Sequence, residues 1–170
     1  MIYVSSLSGL PGLAATLERF DLLTLLSPSA AARDWSGLAR VRHVQLSFHD
    51  IVELTPDLIA PDADIVRAVL EFGRGAVEHR ALLIHCWAGI SRSSAAAYAI
   101  ACERNPGYEA EIADELRRRS PYVTPNKLMV KLADEMLGRE GRMSEAIARI
   151  GRGAETAEGK PYQLPLRWPI

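Results

Sequence analysis

The segment His85-Cys86-Trp87-Ala88-Gly89-Ile90-Ser91-Arg92-Ser93-Ser94 carries a thiol and, six residues later, a guanidinium. Cys86 closes an apolar run, and Arg92 falls in the first turn of an alanine-rich stretch. That context puts the thiol at the end of a strand and the arginine at the start of a helix. The loop between them can turn successive backbone N–H groups onto one point, an anion-binding nest. The helix that follows aims its positive end at the same place. Gly89 permits a backbone angle that a residue with a Cβ resists. A thiol held there is acidified, because the amides and Arg92 both favour the thiolate. Phosphate is the guest that fits. Its oxygens take the backbone of Trp87, Ala88, Gly89, Ile90, Ser91 and Arg92 together with the two-pronged guanidinium, and the thiolate lies in line beneath the phosphorus.

Such a loop needs a sheet behind it. Residues 81–86 (ALLIHC) form a short apolar run bounded by charge, the expected centre of the sheet. Residues 21–26 (DLLTLL), stopped by Ser27-Pro28, and residues 41–48 (VRHVQLSF), with Val44, Leu46 and Phe48 on one face, are further strand candidates. Residues 2–4 are a short β-prone run, and residues 13–19 suit a crossover helix. Helical spacing of Ile65, Val69, Phe72 and Ala76 predicts a helix from Asp62 to His79 or Arg80, and residues 91–102 a second. Residues 108–119 and 125–137, the latter capped by Thr124, predict two more, and residues 143–150 a short last one. Strands alternate with helices in the first half and helices dominate the second. The expected fold is therefore α/β, a mostly parallel central sheet flanked by helices with a helical C-terminal half.

The whole chain narrows the reading. Its 170 residues, 48% hydrophobic, suit one domain, with a core over about 1–150 and a wrapping tail over 151–170. A net charge of −1 excludes a generally basic nucleic-acid binder. Two cysteines make neither a disulfide framework nor a zinc site, so neither metal nor cofactor is expected. The first residues lack the pattern of a signal peptide, and no stretch approaches the roughly 18 apolar residues of a membrane span. The expectation is a cytoplasmic protein.

The loop resembles the signature of cysteine-dependent protein phosphatases, His-Cys-x-x-Gly-x-x-Arg-Ser/Thr, with every fixed position filled between a strand and a helix. The length and helical second half look most like the compact dual-specificity branch. The likeness extends more loosely over residues 41–137, where Pro125-Asn126 resembles the pair that opens a late helix in that branch. The resemblance implies a phosphorylated protein or peptide as substrate and roles by position. Cys86 is then the nucleophile of a phosphocysteine intermediate, and Arg92 binds the phosphoryl group. Ser93 assists departure of the sulfur, and His85 supports the loop. The leaving-group acid is expected on a loop before the helix leading to the signature strand. Asp50 is the best positional match, 36 residues before Cys86, with Asp57, Asp62 and Asp64 competing.

Blander readings apply elsewhere. Cys102 reads as a small buried hydrophobe. His43, His49 and His79 read as solvated or satisfied, and Arg117-Arg118-Arg119 as a solvated helix end. Three rival functions stand beside the hydrolase: an inactive phosphate-binding pseudophosphatase, sulfur transfer of the rhodanese type, and arsenate reduction. Intact Cys86 and Arg92 with an acid oppose the first, and the lack of a resolving cysteine opposes the last. The variable loop positions Trp87, Ala88, Ile90 and Ser91 carry no charge, which favours a singly phosphorylated substrate.

Overall fold

The computed structural model describes residues 1–169. Five strands, β1 (Ile2–Ser5), β2 (Phe20–Leu26), β3 (Arg40–Ser47), β4 (Ala81–His85) and β5 (Tyr162–Leu164), form one sheet in the order β3-β2-β4-β1-β5. β4 lies at its centre. The β1–β4, β2–β4 and β2–β3 pairs are parallel, and only β5 runs antiparallel, along β1. Six helices complete the fold: α1 (Leu10–Ala14), α2 (Ala63–Arg74), α3 (Arg92–Arg104), α4 (Glu109–Arg119), α5 (Lys127–Met136) and α6 (Arg142–Ile150).

The two sheet faces are covered unequally, and the strand alternation explains how. Leu23, Leu25, Leu82 and Ile84 point toward α2–α6 and join the larger core. Leu22 and Leu83, one residue out of step, meet Phe20, Leu10 and Trp35 on the α1 side. α3 is buried on all sides: Ala95, Ala96, Ala97, Ala99 and Ala101 are small enough for neighbouring elements to close around it. Such burial fixes the start of α3, and therefore Arg92, against the end of β4. No described helix is long and apolar enough to cross a membrane.

The helix bounds depart from the periodicity at three places. α1 begins at Leu10, with Pro11 in its first turn, and ends at Ala14 rather than running to residue 19. α2 stops at Arg74, short of His79 or Arg80. Its last carbonyls are taken by side chains from elsewhere: Arg42 donates to Phe72 O at 2.8 Å, and Arg104 to Gly73 O at 2.8 Å and Arg74 O at 3.2 Å. The Arg42 guanidinium fills the space where a side chain on Gly75 would stand, 1.7 Å from an added Cβ. Finally, α5 is capped by Asn126, whose Oδ1 accepts from Met129 N at 3.0 Å, and not by Thr124. Thr124 is used otherwise. Its N–H holds Ile90 O at 3.1 Å and its Oγ1 accepts from Gly153 N at 3.1 Å.

Candidate active site

β4 delivers Cys86 to the C-terminal edge of the sheet, where the chain turns through 87–91 into α3. The thiol is buried, with Sγ 3.2 Å from Ser93 Oγ and 3.3 Å from the Gly89 N–H that donates to it. Gly89 adopts φ +72°, and an added Cβ would lie 2.6 Å from Ser6 N, so both the angle and the close approach require glycine.

The carbonyls of the loop are held from outside. Trp87 O accepts from Leu7 N at 3.0 Å, Ala88 O from Gly159 N at 2.9 Å, Ile90 O from Thr124 N at 3.1 Å, and Ser91 O from Asn126 N at 3.3 Å. In a trans peptide the following N–H points the opposite way. The amides of Ala88, Gly89, Ser91 and Arg92 are therefore directed inward, and the Gly89 bond to Sγ follows this rule. Inward amides at successive positions make a concave arrangement of the kind that can hold an anion.

Arg92 is 4% exposed and stiffly held. One Nη1 donates to Phe48 O at 2.7 Å and to Ser27 Oγ at 3.2 Å, and the guanidinium lies over the Phe48 ring at 5.7 Å. Its Nε is buried without a hydrogen-bond partner among the described residues. The side chain is thus anchored through Nη1, with a further buried donor not spent on the protein.

Asp50 lies just beyond β3, in the same cleft as Cys86 and Arg92, a cavity of about 590 Å³. Its Oδ1 accepts from Ser91 Oγ at 2.7 Å and from Asn126 Nδ2 at 2.8 Å. The competing aspartates stand elsewhere. Asp62 caps α2 by accepting from Ile65 N at 2.9 Å, Asp64 pairs with Arg67, and Asp57 sits on a turn at φ +63°. None of the three lines the cleft. Trp87, 58% exposed, Ala88, Ser29 and Ala30 also line the cleft.

His85 is fully buried, and its Nε2 meets Thr24 Oγ1 at 2.9 Å, tying the end of β4 to β2. Burial lowers its pKa to about 4, opposed in part by the Cys86 backbone and helped by smaller effects of the charges of His43, Arg33 and Arg92. It is neutral near pH 7. His49 Nδ1 accepts from Ile59 N at 2.9 Å and His43 Nε2 meets Thr24 Oγ1 at 3.0 Å, so both are satisfied in place. Cys102 is buried within α3, and burial pushes its thiol pKa up. The arginine run is less solvated than expected. Arg117 donates to Gly151 O and Pro121 O, each at 2.7 Å, while Arg118 and Arg119 both bind Glu115.

Sequence reasoning missed Ser27, which holds Arg92, and Asn126 as a partner of Asp50. It also missed Thr156 and Ala157, which form one wall of the cleft. A Pro-Asn pair was a signal for Asn126. Nothing in the pattern of the tail marks Thr156 or Ala157.

No family model matches the sequence, and no curated protein matches it. Solved structures do. One is the human tyrosine phosphatase-like serine/threonine/tyrosine-interacting protein, 20% identical, covering 82% of this chain and 92% of that one with a TM-score of 0.58. DUSP15 is 14% identical, with 88% and 89% covered and a TM-score of 0.54. A mutant form of Tk-PTP is 19% identical, with 79% and 86% covered and a TM-score of 0.53. The chain has the α/β fold of the cysteine-dependent tyrosine and dual-specificity phosphatases.

Proposed function

We propose that the protein is a phosphomonoester hydrolase acting on phosphotyrosyl, or on both phosphotyrosyl and phosphoseryl, protein substrates through a phosphocysteine intermediate. The observation that carries the reading is the convergence of Cys86, Arg92 and Asp50 on one cleft whose floor is a ring of inward amides.

In the first step the Cys86 thiolate attacks phosphorus and the bond to the ester oxygen breaks. Asp50 gives that oxygen its proton. Two donors occupy Asp50 Oδ1, which leaves Oδ2 as the proton-carrying atom. The equatorial oxygens bind the amides and the unspent edge of Arg92, and that charge is stabilised without reorganisation because Phe48 O already fixes the guanidinium. In the second step Asp50 takes a proton from water, the water oxygen attacks phosphorus, and the sulfur departs as thiolate, assisted by the hydroxyl of Ser93 at 3.2 Å. His85 supports the loop as a neutral ring and transfers no proton. The uncharged lining of Ser29, Ala30, Trp87 and Ala88 suits an ester with a single phosphate, and the Trp87 ring offers an aromatic leaving group a surface.

The deciding assay is turnover of a phosphotyrosyl peptide by the parent protein and by Cys86→Ser. The parent is expected to turn over. The variant is expected to lose turnover while still binding inorganic phosphate, because the amides and Arg92 remain. A parent that binds phosphate without hydrolysing any ester would be a phosphate-binding module instead. A Cys86→Ser variant near the parent rate would remove Cys86 from the chemistry.

A further inference from the structure

Two segments far apart in the chain hold consecutive carbonyls of the anion loop. The loop after β1 supplies Leu7 N–H to Trp87 O at 3.0 Å, and the C-terminal segment supplies Gly159 N–H to Ala88 O at 2.9 Å. These two bonds set the peptide planes whose N–H groups belong to Ala88 and Gly89. The two segments are themselves joined. Glu158 Oε1 accepts from Ser6 Oγ at 2.5 Å and from Ser8 Oγ, residues on either side of Leu7. Ser6 and Ser8 hold the Glu158 carboxyl below the usual carboxylate range. A turn in which Thr156 Oγ1 donates to Glu158 O at 2.9 Å shapes the chain just before the clasp. Gly159 is buried beneath it, with space for an added Cβ only 3.2 Å from Gly89 O.

An exposed acidic residue in a polar tail has no reason of its own to adopt this place. Its position becomes intelligible from what lies next to it. With Glu158 on Ser6 and Ser8, the following amide is brought against Ala88 O, and the loop after β1 is kept against Trp87 O.

We propose that Glu158 is a positioning residue for the anion loop: by clasping Ser6 and Ser8 it keeps Gly159 N–H on the Ala88 carbonyl, and so keeps the Ala88 and Gly89 amides aimed at a bound phosphoryl group. For its catalytic consequence the proposal rests on the phosphatase reading. For its effect on the loop it rests on the hydrogen bonds alone.

The test uses the full chain and compares the parent with Glu158→Ala, Glu158→Gln and the double variant Ser8→Ala/Glu158→Ala. Three quantities are read: hydrogen exchange of the 86–92 amides, binding of inorganic phosphate by calorimetry, and kcat and KM on a phosphotyrosyl peptide. Glu158→Ala is expected to speed loop exchange and to weaken phosphate binding by ~10-fold, the size of one lost hydrogen bond to a charged group. The fall should appear in kcat more than in KM, since aligned amides matter most as charge develops. Glu158→Gln keeps an acceptor oxygen for the serines and is expected to recover most of the loss. Ser8→Ala should add little on top of Glu158→Ala, because both act through one contact. Loop exchange and phosphate binding left at parent levels in Glu158→Ala would overturn the proposal. A parent without turnover whose loop still loosens in Glu158→Ala would refute the phosphatase reading and leave the clasp standing. A parent with normal turnover and an unresponsive loop would do the reverse. If the parent binds no phosphate, loop exchange alone decides.

Discussion

Asn126 Nδ2 donates to Asp50 Oδ1 at 2.8 Å, across 76 positions of sequence, while Asn126 Oδ1 caps α5 through Met129 N at 3.0 Å. One side-chain amide thus fastens a helix start and the proposed acid together. The carboxylate is held by α5 from one side and by Ser91, in the anion loop, from the other.

Asn126→Ala should therefore have two separable effects. Loss of the cap is expected to cost about 1 kcal/mol, a fall of about 2–4 °C in Tm. Loss of the grip on Asp50 should lower kcat further for esters with poor leaving groups. Asn126→Ser keeps an oxygen for the cap but is too short to hold Asp50. It should recover Tm and not kcat. Thermal melts and leaving-group series on both variants check this, and parallel recovery of Tm and kcat would place Asn126 in a purely structural role.

The acid itself is tested by leaving-group dependence. Asp50→Asn should slow an alkyl or tyrosyl phosphate by roughly 100-fold, the usual size of a general-acid contribution, and an activated aryl phosphate much less. Asp62→Asn is the contrasting variant. Asp62 caps α2 away from the cleft, and asparagine caps about as well, so neither stability nor leaving-group dependence should change much. If Asp62→Asn showed the dependence and Asp50→Asn did not, the acid would be misplaced.

For Arg92 the structure predicts that shape outweighs charge. Its Nη1 is committed to Phe48 O, and only a planar fork can hold that bond while offering other donors to an anion. Arg92→Lys should lose at least ~100-fold in turnover. Ser27→Ala, which removes the weaker 3.2 Å anchor, should lose far less. Equal losses in the two variants would show that anchoring, rather than the fork, is what matters. Crystals grown with phosphate should show the anion against the 87–92 amides.

Stability should depend on pH through His85. Its folded pKa is depressed to about 4 from the ordinary 6.5, so the unfolded chain binds the proton more readily. The stabilisation is then fully present above pH 6.5 and is lost as pH falls toward 4, a span of about 3 kcal/mol at most. His85→Asn lacks the titrating group. Melts from pH 4 to 7 should show a steeper rise in stability for the parent than for the variant, and matching slopes would contradict the assignment.

The parts of this protein legible in its sequence are the parts built from neighbours in the chain. The strand, loop and helix carrying Cys86, Gly89, Arg92 and Ser93 occupy one short segment, where backbone geometry follows directly from residue order. Four of the five strands and five of the six helices are expected from the sequence; α1, too short to show a period, is misread by several residues, and β5 (Tyr162–Leu164) lies in a stretch read only as a wrapping tail. What the tertiary structure alone decides are contacts with no periodic signature. α2 ends where Arg42 and Arg104 arrive from β3 and α3 to take its carbonyls. Arg92 is anchored by a backbone oxygen at Phe48, which any residue type would supply. Asp50, rather than Asp57, Asp62 or Asp64, lines the Cys86 cleft because the sheet order sets the end of β3 beside the α5 cap. The tail reaches the anion loop because β5 pairs with β1, which returns the chain across the edge where Ser6 and Ser8 wait. Each of these is a single hydrogen bond or ion pair between distant residues, and polar side chains in loops carry no pattern that names their partners until the packing of the apolar faces has brought them together.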